Sequence, residues 1–121
     1  MHTHVTARRR SDPRTQTLRN EAGRWLCELR NKRGLSQSQL AQRVGEKSYM
    51  IISQFENGRA RVHPDRYLVW AYALGVEPRR FVRELMSYYD PVTYGIIFGP
   101  RSPSHSGRAL RVSASTGTTA E

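Results

Sequence analysis

The sequence has few of the features on which secreted, membrane and disulfide-bonded proteins depend. Cysteine occurs once, at Cys27, so no intrachain disulfide can form and a reducing compartment is favoured. No apolar run approaches the roughly 20 residues that a membrane-spanning helix needs. The N-terminal residues also lack the apolar stretch of a secretory signal. We therefore expect a cytoplasmic protein with no membrane association.

The sequence also lacks a recognisable set of catalytic or metal-binding residues. The four histidines lack the spacing of metal ligands, and Cys27 has no second cysteine with which to share a metal. Neither a glycine-rich phosphate loop nor a suitable pair of carboxylates is present. No enzymatic activity, metal or cofactor is expected. The histidines are His2, His4, His63 and His105.

Acidic residues are scarce relative to basic ones. The 121 residues include 20 Lys and Arg against 10 Asp and Glu, for a formal charge of +10. Only Lys32 and Lys47 are lysines, so 18 of the basic residues are arginines, which suit bidentate contacts to phosphate and guanine. Residues 18–90 hold 13 basic and 8 acidic side chains, net +5, so half the excess lies outside the tails. This balance predicts a polyanionic partner, nucleic acid before an anionic membrane.

Apolar periodicity divides the chain into four parts. Residues 1–16 are polar and arginine-rich and predict a flexible basic arm. Residues 17–90 repeat apolar side chains at helical spacing and predict five helices, hence an all-α, compact domain. Residues 91–99 are apolar and β-prone, and residues 100–121 are rich in Ser, Thr, Gly and Pro, which predicts a disordered tail.

Local signals in residues 36–58 predict two short helices joined by a tight turn. Ser36 and Gln39 have the spacing of a capping box at the start of the first, and Gly45 ends it. Ser48 is the expected N-cap of the second, which runs to Asn57. When two helices meet at a steep angle, the second projects from the surface of the protein. An α-helix has the right width to enter a DNA major groove. In the following helix the inward residues are expected to be Leu68, Ala71 and Leu74.

Residues 22–86 resemble the Cro/repressor-type helix-turn-helix family, also called XRE. The matching elements are Leu29-Arg30, Leu35-Ser36-Gln37, Leu40-Ala41, Val44-Gly45, Ile52-Ser53-Gln54-Phe55-Glu56-Asn57-Gly58 and Ala71-Leu74-Gly75-Val76. The resemblance implies a compact five-helix domain that binds operator DNA, commonly as a symmetric dimer. One departure is that the interval from Gly45 to the Phe-Glu-Asn-Gly ending is one residue longer than usual, which lengthens the turn at Glu46-Lys47.

The resemblance also implies roles for individual residues. Gln37 would contact a DNA phosphate at the positive end of its helix, and Arg30 with Glu56 would form a structural salt bridge. Gln54 is the best candidate for a base contact, because its amide can both donate to and accept from adenine. The candidate DNA contacts are Gln37, Arg43, Lys47, Ser48, Tyr49, Met50, Ser53, Gln54, Asn57, Arg59 and Arg61.

Two assignments stay open at this point. Tyr49 and Met50 could pack on thymine methyl groups, or Tyr49 could donate a hydrogen bond to a phosphate. Alternatively, Tyr49, Met50 and Ile51 could together make a hydrophobic contact within the protein or with a partner. The run Arg8-Arg9-Arg10 could follow the DNA backbone or enter a minor groove, or it could be a solvated tail.

The function predicted from these features is sequence-specific transcriptional regulation by a homodimer on an inverted-repeat operator of double-stranded DNA. The apolar segment 87–99 is the expected dimer contact, and no small-molecule effector is expected. The alternatives are an autoregulating antitoxin, a protein-interaction module that uses the Tyr49-Met50-Ile51 tip, and a nonspecific nucleoid-type binder.

Overall fold

The computed structural model describes residues 13–100, which form six α-helices and one short 3-10 turn, with no strand in that range. The all-α class expected from the sequence is confirmed. No helix in this range is long and apolar enough to cross a bilayer. The helices are α1 (Pro13–Lys32), α2 (Gln37–Val44), α3 (Tyr49–Glu56), α4 (Tyr67–Leu74), α5 (Pro78–Tyr89) and α6 (Pro91–Phe98), with the 3-10 turn at Pro64–Arg66.

The helix-turn-helix unit, α2 and α3, has the local signals that the sequence indicated. The Ser36 hydroxyl accepts from the Gln39 amide at 3.0 Å, and the Gln39 side chain accepts from the Ser36 amide at 2.8 Å. Gly45 follows α2 with a left-handed φ of 80°, which glycine adopts without steric penalty. Ser48 caps α3 by accepting from the Met50 amide at 3.0 Å. These short-range bonds fix where both helices begin and where α2 ends.

One hydrophobic core joins the first five helices. Its largest fully buried side chains come from every one of them, so removal of any helix would expose the others. Phe55 and Trp70 meet edge to face with centroids 5.2 Å apart, which ties the end of α3 to α4. The fully buried large side chains are Leu26, Leu40, Val44, Ile52, Val62, Trp70, Phe81 and Leu85.

The apolar segment after α5 is a helix, and its β-prone reading was wrong. Asp90 caps α6 by accepting from the Thr93 amide at 3.2 Å, and Pro91 occupies the first turn, where its missing N–H is no loss. These capping signals outweigh the β-branched composition that favoured an extended strand. Helix α6 packs back on α5, and none of its residues is buried.

Two further details differ from the sequence prediction. Helix α1 begins at Pro13, so residues 13–16 are helical and do not belong to the basic arm. Leu68, expected to point inward, is 55% exposed, because Trp70 fills the core and determines which face of α4 turns inward.

Candidate DNA-binding site

Helix α3 exposes one face and buries the other. Tyr49, Met50 and Gln54 are exposed, and Ser53 is half-buried. On the opposite side Ile52 is completely buried. The side chains expected to face DNA therefore lie on a single open surface of α3.

Arg30 and Glu56 form a bidentate ion pair that holds the end of α3 against α1. Arg30 Nε lies 2.7 Å from Glu56 Oε2, and Nη2 lies 3.1 Å from Oε1. The two side chains are only 12% and 7% exposed. The hydrogen bond to Glu56 raises the pKa of Arg30, although burial opposes that shift. Arg30 Nη1 also donates to the Leu35 carbonyl at 2.8 Å, so one guanidinium connects α1, the α1–α2 loop and α3.

Gln37 extends this network to the start of α2. Its Nε2 donates to Glu56 Oε1 at 3.0 Å, so Glu56 receives hydrogen bonds from two elements. A side-chain amide nitrogen carries two hydrogens, and the one not used for Glu56 can still serve a phosphate. The geometry thus gives Gln37 a structural contact and leaves it a donor for DNA.

Gly23 positions α3 through a contact that sequence reasoning missed. It is buried where α1 crosses the end of α3. A Cβ at this position would lie 2.8 Å from the Phe55 carbonyl oxygen and would overlap the Glu56 carbonyl. A glycine inside a helix costs about 1 kcal/mol relative to alanine, and that local penalty was the available signal of a close approach.

Arg66 was also missed, and it supports the turn between α2 and α3. Its Nη2 donates to the Val44 carbonyl at the end of α2 and lies beside Gly45. A cation at the negative end of a helix is electrostatically favourable, and here it arrives from the 3-10 turn. Four residues, 45–48, separate the two helices.

The loop after α3 is ordered by its own hydrogen bonds. The Gln54 carbonyl accepts from the Arg59 and Ala60 amides at 2.9 and 3.1 Å, and Asn57 Oδ1 accepts from the Arg59 amide at 3.1 Å. Further on, the Val62 amide donates to the Tyr89 hydroxyl at 3.2 Å, which docks the loop on α5. This backbone arrangement presents the arginines of the loop to solvent.

Exposed cations flank α3 along the chain. They come from the last turn of α2, the following turn and the loop after α3. Four such cations are present, and none of them forms a salt bridge with another residue of the 13–100 range. A surface of this kind attracts a polyanion. The four cations are Arg43, Lys47, Arg59 and Arg61.

Comparison with known proteins agrees with this geometry. A family model described as helix-turn-helix matches residues 28–81. The chain belongs to the XRE-type helix-turn-helix family, which places it among DNA-binding transcription regulators.

A solved structure gives a more particular likeness. The restriction-modification controller protein C.AhdI from Aeromonas hydrophila is 33% identical and superposes with a TM-score of 0.50. The match covers 58% of this chain and 99% of that one. No curated protein matches the chain.

Proposed function

We propose that this protein is a sequence-specific transcriptional regulator that inserts α3 into the DNA major groove. The observation that carries this proposal is the pairing of an open, hydrogen-bonding α3 face with a buried network that holds α3 in place. Base readout requires side chains held in register with the base edges, and the Arg30–Glu56 pair and Gly23 supply that rigidity. The exposed arginines around α3 would bind the phosphates on either side.

Gln54 is the proposed base-reading residue. It lies on the exposed face in the last half of α3, while its backbone carbonyl is anchored by two loop amides. A bidentate amide–adenine contact contributes about 1–3 kcal/mol of discrimination against a wrong base. Its loss should therefore remove one base preference from the operator and leave the remaining ones unchanged.

The test is selection of bound duplexes from a random pool at near-physiological salt. Wild type, Gln54→Ala and the control Gln42→Ala, which alters an exposed glutamine on α2, are compared. We expect an enriched motif for all three, with a base preference lost only in Gln54→Ala. An unchanged motif in that variant would remove Gln54 from base reading. No enriched motif with wild type would contradict specific binding and favour a nonspecific binder or a protein-interaction module.

We further propose that the regulator is a homodimer joined through α6. The segment expected to make this contact includes Ser87 and Tyr88, but both are buried in the core of the monomer. The part of the segment that is exposed for contact with a second copy is therefore α6. Val92 and Ile96 are four residues apart on one helix face, and both are highly exposed. Pairing two such faces would remove apolar surface from water, which favours association.

Sedimentation equilibrium of Ile96→Glu tests this arrangement. A charge in the centre of the proposed contact should shift the protein toward monomer, while Leu68→Glu, at an exposed apolar position of α4, should leave the dimer unchanged. A wild-type protein that is monomeric at all concentrations, or an Ile96→Glu variant that remains dimeric, would reject α6 as the interface.

A more particular role is favoured by the likeness to a restriction-modification controller protein. The proposed target is then the promoter of the protein's own operon, with neighbouring genes for a modification enzyme and a nuclease. Inspection of the neighbouring genes and a reporter fused to the upstream DNA would test this role. A reporter that does not respond to the protein would exclude it.

A further inference from the structure

We propose that the groove between α5 and α6 binds an acidic amphipathic helix of another protein. The groove has a volume of about 720 Å³. This interaction goes beyond the proposed function and does not depend on it, because it needs no DNA. The lining of the groove includes Arg79, Arg80, Val82, Arg83, Met86 and Phe98.

Helix α5 has a second apolar face in addition to the one that it buries in the core. Phe81 and Leu85 are completely buried. Val82 and Met86 are four residues apart on a different face of α5, and both are only partly buried. Phe98, near the end of α6, lines the same groove and is exposed. This open apolar floor between two helices suits the apolar face of a third helix.

Three arginines border the apolar floor. Arg79, Arg80 and Arg83 are exposed, and none of them forms a salt bridge with another described residue. The Arg83 guanidinium lies 4.6 Å from the centre of the Phe98 ring, a cation–π contact that favours its position at the groove. The acidic residue of the lining, Glu77, caps α5 by accepting from the Arg80 amide at 3.0 Å. The groove is therefore net positive, and it complements an apolar segment flanked by carboxylates.

The groove lies away from α3, the helix proposed to enter DNA. On α1, Gly23 contacts the end of α3, whereas Trp25 stacks on Phe81 of α5 with ring centroids 5.6 Å apart. Two residues correspond to about 200° around a helix, so α3 and α5 lie on nearly opposite sides of α1. Arg79 and Arg83 are each two positions from Phe81, so the groove opens on the side of α5 remote from α1. A protein can therefore bind there without blocking α3.

No other part of this chain supplies the matching negative charge. The ends of the chain lie outside the described residues, and both are basic, with Arg8-Arg9-Arg10 at one end and three arginines in residues 101–121 at the other. Like charge disfavours either end as the occupant. Exposed acidic residues of the described range are separated along the chain, so a second copy offers no acidic run. They are Glu28, Asp65, Glu77 and Asp90.

Selection of helix-forming peptides from a random library, at near-physiological salt, tests the inference on the full chain. Parallel selections use the wild type and Arg79→Gln/Arg83→Gln, which removes two charges from the groove. The matched control, Arg43→Gln/Lys47→Gln, removes two charges beside α3. With the wild type and the control, we expect enrichment of peptides that carry Asp and Glu next to apolar residues spaced three and four apart. With the groove variant, we expect no such enrichment.

Fluorescence anisotropy of the most enriched peptide then separates the charged and apolar contributions. Loss of two exposed charge pairs should weaken binding to Arg79→Gln/Arg83→Gln by about 10-fold, and the loss should shrink at about 1 M salt. Phe98→Ala should weaken binding at both salt concentrations. The control Tyr72→Ala, at an exposed aromatic position of α4, should bind as the wild type does.

Several results would overturn the inference. One is a library that yields no enriched peptide, or only peptides without acidic residues. Another is a change in the sedimentation equilibrium of Arg79→Gln/Arg83→Gln, which would assign the groove to a second copy. A third is a loss of DNA affinity in that variant as large as in Arg43→Gln/Lys47→Gln, which would assign the groove to nucleic acid. Because the peptides are selected without DNA, their failure to bind would leave the proposed function standing.

Discussion

Helices α3 and α6 are both eight residues long and both begin after a capping side chain, yet they differ in what fixes their positions. Helix α3 buries Ile52 completely and is held at its end by Arg30 and by the close approach of Gly23. Helix α6 buries no residue. Among the described helices, α5 is the only one with which it makes extensive contacts. Short-range caps are therefore sufficient to form a helix, whereas a helix proposed to read DNA also needs long-range contacts that fix its position.

The largest difference should appear between two identical substitutions, Ile52→Ala in α3 and Ile96→Ala in α6. Ile52 is 0% exposed and Ile96 is 80% exposed. Loss of a buried isoleucine leaves a cavity and lowers the free energy of unfolding by about 3–4 kcal/mol. Ile96→Ala should change the stability of the monomer by less than about 0.5 kcal/mol.

The free energy of unfolding of both variants is measured by denaturant unfolding at a low protein concentration, at which any dimer has dissociated. Similar losses of stability in the two variants would mean that α6 is part of the cooperative core. The proposed difference between α3 and α6 would then be wrong.

The second prediction compares the buried Arg30–Glu56 ion pair with an exposed contact between His63 and Asp65. Glu56→Ala should lower the free energy of unfolding by about 3 kcal/mol, because it leaves the Arg30 guanidinium mostly buried without its partner. Asp65→Ala removes a partner of His63 at 3.7 Å, but those side chains are 86% and 70% exposed. An exposed pair contributes less than about 1 kcal/mol. Thermal or chemical unfolding of both variants checks this, and a Glu56→Ala loss as small as that of Asp65→Ala would refute the role of the buried pair.

Glycine-to-alanine substitutions should have opposite signs in two helices. Gly23→Ala forces a methyl group against the Phe55 and Glu56 carbonyls and should lower stability by about 2 kcal/mol. A Cβ at Gly95 in α6 meets nothing within 4 Å, so Gly95→Ala should raise stability by up to about 1 kcal/mol through helix propensity. Melting curves of the two variants and of the wild type measure both changes in stability. Stabilisation by Gly23→Ala would show that α1 and α3 are farther apart than the structure has them.

The smallest effect expected is a dependence of α6 on pH that α3 lacks. Hydrogen bonding with Thr93 lowers the pKa of Asp90 below its ordinary value of 3.8. The ionised cap therefore stabilises α6 above that value, and the contribution is lost as the pH falls through the lower pKa of the folded state. The Ser48 hydroxyl that caps α3 does not titrate in this range.

NMR signals of the Thr93 and Met50 amides, followed from pH 6 to about pH 2, measure the two caps. We expect the Thr93 signal alone to report a transition below pH 3.8. The control Asp90→Asn keeps a capping oxygen without a carboxylate and should abolish that transition. An unchanged transition in this control would assign the effect to another group.

The sequence by itself determined the helical class and the limits of the helix-turn-helix. Ser36 with Gln39, Gly45 and Ser48 act on backbone groups within four residues, so their effect can be read from adjacent positions in the chain. The same kind of signal, Asp90 followed by Pro91, precedes α6, and it outweighs the β-branched composition of the residues that follow.

Only the tertiary structure decided how α3 is held and which helix faces turn inward. Gly23 lies against the carbonyl of Glu56, and Arg66 donates to the carbonyl of Val44, which is 22 residues away. Neither contact can be inferred from the local spacing of residues in the sequence. Likewise, α4 buries the face that carries Trp70 and leaves Leu68 exposed. The physical reason is that caps depend on a few adjacent backbone groups, whereas a close approach depends on how whole helices pack around one core.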